Sequence, residues 1–340
     1  MSKKKKRIPL SVLDQSPIRS GGSAADALGE TLHLARLCDA LGYHRYWLAE
    51  HHASSSLAGC SPEVLLARLG ADTKRIRIGS GGVMLPHYSP LKVAENFKIL
   101  ETLYPGRIDL GVGRAPGTSQ YIAAALAYGS PTAGGEYFPQ KLVDLEALLR
   151  DEPPLTQGME KVRARPKTEH IPELWLLGSS EDSAVLAAQM GLPYSFALFI
   201  NPEIREDIFR IYRDRFQPGK SLDKPHTCLT VFAICADTEA EAMRLRSSRD
   251  LWFLKLATGH REVPFPDVEE AESYPYTEQD RTFLKARMRH SVIGDPDQVR
   301  AGLEDLAERF GADELMIVSI THDFEARCLS HKMIAESWQT

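Results

Sequence analysis

The chain has 340 residues, 41 Lys+Arg against 46 Asp+Glu, and 43% hydrophobic residues, an ordinary composition that excludes a disordered or collagen-like polymer. Its net charge of −5 leaves no broad basic surface for nucleic acid. No apolar run reaches the roughly 18 to 20 residues needed to cross a bilayer.

The N-terminal run Lys3-Lys4-Lys5-Lys6-Arg7 reads as a solvated tail. The apolar stretch behind it, Ile8 to Leu13, is too short for a signal sequence and runs into Asp14. Eight short apolar runs follow: Pro9–Leu13, Tyr43–Ala49, Ile76–Leu85, Ile108–Val112, Leu174–Leu177, Tyr194–Ile200, Cys228–Cys235 and Leu315–Ile320. They are nearly continuous in apolar character, as strands of a parallel sheet buried on both faces are. Between them come helical patterns, such as Val93, Phe97, Leu100 and Leu103, or Val299, Leu303, Leu306 and Phe310. Ser61-Pro62, Ser89-Pro90, Asn201-Pro202 and Asp295-Pro296 each place a capping side chain before a proline at the first helical position. Eight strands with interleaved helices and one composition regime predict an α/β chain folded as a single (β/α)8 TIM barrel over residues 1–340. Leu251 to Tyr276, with three prolines and an acidic cluster, breaks the repeat. It is expected to be an insertion after the seventh strand, and a lid over the barrel mouth is one use for it. The five cysteines form no CxxC pair and no zinc spacing, which fits reduced thiols and a cytoplasmic setting.

In a barrel, chemistry collects at the C-terminal strand ends. The second strand ends in Glu50-His51-His52, good metal-ligand types, but neighbours on a strand face opposite ways, so both histidines cannot reach one ion. No metal site is expected. The third strand carries Gly81-Gly82-Val83. The fourth leads into Gly111-Val112-Gly113-Arg114-Ala115-Pro116, an incomplete dinucleotide fingerprint, since Pro116 stands where a third glycine belongs. Its glycines would admit a flat ligand and Arg114 would offer a charged planar fork. The plainer reading pairs Arg114 with Asp109 and gives the glycines to strand packing. Gly178-Ser179-Ser180 then opens a helix that reaches Ser183 and beyond, where backbone N–H groups and hydroxyls suit a phosphate. A plain capping box from Ser179 to Asp182 is the competing explanation.

Taken together these segments resemble the bacterial luciferase-like flavin-dependent monooxygenases, in the single-chain oxidoreductase branch. The resemblance rests on Leu13-Asp14-Gln15-Ser16-Pro17, Tyr46 through His52, Gly81 through Pro86, Pro105 through Gly111, Gly113 through Gly117 and Trp175 through Ser180. It covers almost the whole chain. It implies a barrel that holds FMN, reduced by a separate flavin reductase, which with dioxygen oxidises a small organic substrate; a homodimer is the expected assembly. By the same resemblance His51 is the active-site histidine, Arg114 holds the FMN phosphate with Ser180 and Ser183, and Gly81-Gly82-Val83 lies against the flavin ring. Gly178 and Ser179 complete the expected cofactor set. Gly113 stands where luciferase has a reactive cysteine, and Gln140 where it has a second phosphate-contacting arginine. Deazaflavin-dependent hydride transfer and a non-catalytic flavin-binding protein remain open beside the monooxygenase.

Overall fold

The computed structural model describes residues 7–115, 119–200, 205–260 and 263–339. The basic run Lys3 to Lys6, the Pro116-Gly117 step and the Asn201-Pro202 helix start lie outside the described residues.

The strands are β1 (Leu10–Asp14), β2 (Arg45–Leu48), β3 (Arg77–Met84), β4 (Ile108–Gly113), β5 (Glu173–Gly178), β6 (Tyr194–Ala197), β7 (Thr227–Cys235), β8 (Val292–Gly294) and β9 (Glu314–Val318). All pairings are parallel. β1 through β6 are neighbours in sequence order, β6 pairs with β7, and β9 closes the ring between β7 and β1. Eight strands therefore form the barrel, as expected. The three-residue β8 was not foreseen; it pairs only with the end of β7, at Ala233 to Cys235.

Alternation explains why the strands look apolar throughout. Val12, Tyr46, Leu176 and Ile317 belong to the layer between barrel and helices, while their neighbours Leu13, Trp47, Trp175 and Met316 fill the barrel interior. Both faces are buried, so both are apolar.

One end of the barrel is shut by charge. Arg45, Asp109, Glu173 and Glu314 stand at or near the N-terminal ends of their strands. Arg45 meets Asp109 at 2.9 Å and Glu314 at 3.2 Å, while Trp47 Nε1 and Arg77 Nε donate to Asp109 at 2.9 and 2.8 Å. Burial alone would raise the Glu314 carboxyl, but bonds from His226 and Ser11 and the Arg45 charge push it down to about 2. A buried charge network of this kind is tolerable only when fully paired. It leaves the opposite, C-terminal mouth as the open end.

The helices before β7 are α1 (Ala24–Leu41), α2 (Pro62–Asp72), α3 (Pro90–Leu103), α4 (Gln120–Ala127), α5 (Phe138–Leu149), α6 (Glu181–Met190) and α7 (Ile208–Asp214). Between β7 and α11 (Pro296–Phe310) lie α8 (Glu239–Ala257), α9 (Val268–Ser273), α10 (Glu278–Arg287) and β8. The insertion is thus larger than expected: Leu251 to Ala257 continue a helix, and the excursion runs on to Gly294. Of the expected proline-linked caps, Asp295 forms a full capping box, whereas Ser61 and Ser89 precede α2 and α3 without a side-chain cap bond. Proline at the first helical position fixes φ by itself and removes one orphan N–H, so the serine cap is dispensable there. No described helix is long and apolar enough to cross a membrane.

Candidate active site

A cavity of about 760 Å³ fills the C-terminal mouth. Its floor is Leu13, Trp47 and Met316, the inward side chains just above the charged end. Around its wall stand Gly81, Gly82, Gly113, Arg114, Gly178, Ser179, Ser180 and Ser183, with Glu50 and His51. Residues from β2 to β5 and from the start of α6 thus meet there, although they span more than 130 positions of sequence.

Val83 is the exception among the expected residues. The β3–β4 register slips between Gly81 and Val83, so Gly82 is an extra residue in the strand. A bulge of one residue turns every following side chain to the other face. Val83 consequently packs in the outer apolar layer, and Met84, not foreseen, lines the cavity.

The glycines divide by role. A Cβ on Gly111 would lie 2.3 Å from Ser80 O and 2.8 Å from Leu177 Cδ1, so that residue serves strand packing. A Cβ on Gly113 would approach only Leu177 O, at 4.0 Å, and would stand in the cavity. Gly81 and Gly82 line the cavity too, but a Cβ there would lie 2.5 Å from Leu13 Cδ1 and 2.7 Å from Gly111 O respectively, so close packing as well as the open wall requires them.

His51 and His52 do separate, though not by strand alternation, because β2 ends at Leu48. His51 lines the cavity, and its Nδ1 is buried without a partner among the described residues. Burial first, and the His52 charge second, push its pKa down to about 4, so the imidazole is neutral near pH 7. His52 turns instead to Glu50, Nε2 to Oε1 at 2.6 Å. Tyr88 donates to the same Oε1 at 2.6 Å, and the Met84 N–H donates to Oε2 at 3.0 Å. Burial and the Glu50 bond hold the Tyr88 phenol well above its ordinary pKa, so it stays a donor. In the sequence Glu50 stands out only as a metal-ligand type and Tyr88 not at all, because their shared role needs residues 38 positions apart.

Arg114 does not pair with Asp109. Asp109 is saturated at the closed end, five residues or roughly 16 Å of strand away. Arg114 sits at the cavity rim with its side chain 51% exposed and meets Asp182 at 3.5 Å, a residue 77% exposed. Ser180 is the N-cap of α6 without a side-chain bond, so the capping box from Ser179 does not form. Ser183 Oγ donates to Ser180 O at 2.6 Å and lies 3.0 Å from the Tyr194 hydroxyl. Glu181 is occupied by Arg205 at 3.0 Å and Arg215 at 3.9 Å. Gln140 donates to Asp144 at 3.2 Å within α5, away from this wall. One exposed guanidinium, the Ser179 and Ser180 hydroxyls and a helix N-terminus thus line one wall, a donor set that suits a phosphate, with Ser183 holding the turn through its bond to Ser180 O. Among the described residues no group of three or more His, Cys, Asp or Glu could hold a metal ion.

The chain belongs to the luciferase-like monooxygenase family, whose model matches residues 8–314, and is an enzyme of that family. It is 43% identical to the uncharacterized protein YceB of Bacillus subtilis, over 97% of this chain and 99% of that one. To the N-acetyl-S-alkylcysteine monooxygenase of Bacillus subtilis it is 37% identical, over 97% and 98%. The structure of apo-MsnO8 superposes with a TM-score of 0.89 at 38% identity, over 98% and 99%. An FMN complex of the oxygenating constituent of 3,6-diketocamphane monooxygenase from Pseudomonas putida shares the fold, with a TM-score of 0.71 at 18% identity over 97% of both chains.

Proposed function

We propose that this chain is an FMN-dependent monooxygenase that acts on a small organic substrate. The observation that carries the reading is one cavity lined both by a phosphate-type donor set and by a neutral imidazole. The glycine-lined wall between them would admit the flat ring, with Arg114, Ser179, Ser180, Ser183 and the α6 N-terminus at the phosphate. The FMN complex that shares this fold supports the same choice of cofactor. Reduced FMN, when bound, supplies the electrons that activate dioxygen. The protein's own part is to hold the phosphate by charge, to exclude water with Leu13, Trp47 and Met316, and to accept or donate a proton at His51. Starting neutral, His51 accepts first.

A separate reductase, a cytoplasmic setting and a homodimer belong to this reading. The dimer is supported by Val64 of α2 and Ile99 and Leu103 of α3, apolar side chains 70%, 47% and 55% exposed on adjacent helices; light scattering should return the mass of two chains, and one chain would remove that part.

Calorimetry tests the cofactor. FMN should bind more tightly than FAD or riboflavin, and reduced FMN fed by a flavin reductase should drive oxygen consumption that depends on the protein. FAD binding as tight as FMN would overturn the assignment.

A further inference from the structure

A second cavity, of about 580 Å³, adjoins the first and shares Gln15, His51, Phe199 and Ile200 with it. Its outer wall is built by the insertion, through Trp252, Phe253 and Leu256 of α8 and Arg287 at the end of α10. Its charge is one-sided. Among the described residues lining it there is no carboxylate, and Arg287 has no carboxylate within ion-pair distance among the described residues. Instead its guanidinium lies 4.9 Å from the centre of the Phe253 ring.

Phe253 carries a second guanidinium. Arg249 is 2% exposed, with its Cζ 4.5 Å from the same ring and 3.5 Å from that of Phe232, and its hydrogen bond goes to Met288 Sδ at 3.2 Å. The neighbouring Asp250 is engaged by Arg246 at 2.8 and 2.9 Å. Burial pushes Arg249 down to about 9, which still leaves it protonated at neutral pH. Two cations on one aromatic ring, neither in an ion pair with a carboxylate among the described residues, make this end of a chamber with a mixed polar and apolar lining positive. Cation–π contacts lower the cost of such a charge without neutralising it, and only an anion completes it.

We infer that the second cavity is the substrate chamber and that it takes an amphipathic organic anion. The acid group pairs with Arg287, the apolar body lies among Phe199, Trp252, Phe253 and Leu256, and the oxidisable group reaches His51, which lines both cavities. The inference rests on the FMN reading of the first cavity. It goes beyond that reading in assigning the insertion a specificity role, with Arg287 as the selecting residue.

Octanoate and 1-octanol, equal in apolar length and different in charge, are suitable probes. Titrated calorimetrically into FMN-saturated protein at neutral pH, octanoate should bind at least about tenfold more tightly than octanol. Arg287→Met should abolish that preference and Arg287→Lys should keep part of it, with FMN affinity and circular dichroism unchanged in both. Equal binding of the two probes by the unaltered protein, a preference that survives Arg287→Met, or octanoate that displaces FMN would each overturn the inference. FMN affinity, measured first, separates the two claims. If FMN fails to bind, the cofactor assignment falls, and the same titration without FMN shows whether the anion chamber stands on its own.

Discussion

Replacing Arg114 with Met keeps most of the stem volume and removes the charge nearest the proposed phosphate. A guanidinium meeting a phosphate through charge-assisted hydrogen bonds contributes about 1.5 to 3 kcal/mol. Two features of the structure place this site at the lower end. The side chain is 51% exposed, so water screens it, and it must leave its 3.5 Å contact with Asp182 to engage a ligand. The expected loss is therefore about 1.5 to 2 kcal/mol, roughly ten- to thirtyfold in FMN affinity. The serine hydroxyls and the α6 N-terminus should keep residual binding. Riboflavin, which lacks the phosphate, should bind the variant and the unaltered protein alike. The melting temperature should hardly move, because Asp109, the alternative partner, is already held by Arg45, Arg77 and Trp47. Titrating both ligands calorimetrically into both proteins, with a melting curve for each, gives the answer. Unchanged FMN affinity in a folded Arg114→Met protein would remove the phosphate site.

His51→Ala should slow the reoxidation of protein-bound reduced FMN coupled to substrate by roughly a hundredfold, with little change in FMN affinity; His52→Ala should instead cost about 1 to 3 kcal/mol of stability by leaving the buried Glu50 carboxylate short of a partner. Reversal of those two phenotypes, in stopped-flow absorbance and denaturant melts, would reverse the assignment. Stability should also fall as pH drops from about 6.5 toward 4. Burial holds His331 down to about 3 and His51 down to about 4, so the unfolded chain takes up these protons first and the native state loses ground until the folded groups titrate. His331 is fully buried, and both its ring nitrogens lack a hydrogen-bond partner among the described residues. His331→Leu should therefore flatten that acid limb in urea titrations across the range, and an unchanged slope would show that the limb arises elsewhere.

Much of this molecule is written locally. The eight barrel strands are visible as runs because both faces of each are buried, and the strand ends that bear His51, Arg114 and Ser180 could be located by counting along them. The proline-initiated helices and the insertion announce themselves in the same way, through φ restriction and a break in the repeat. What stays hidden in the sequence depends on register and on distant pairing. Gly81-Gly82-Val83 reads as a regular stretch of strand until the β4 register shows Gly82 to be an extra residue, which turns Val83 outward and brings Met84 in. Arg114 and Asp109 lie close along the chain, but a strand rises about 3.3 Å per residue, so five positions carry them to opposite ends of the barrel. Glu50 becomes a shared acceptor only once Tyr88 and His52 are folded against it. The second cavity is lined by both His51 and Arg287, which lie most of the chain apart in sequence. Closure of a barrel brings its first strands against whatever follows the seventh, and a sequence pattern, which reports burial and not neighbours, carries no record of which side chains will face each other there.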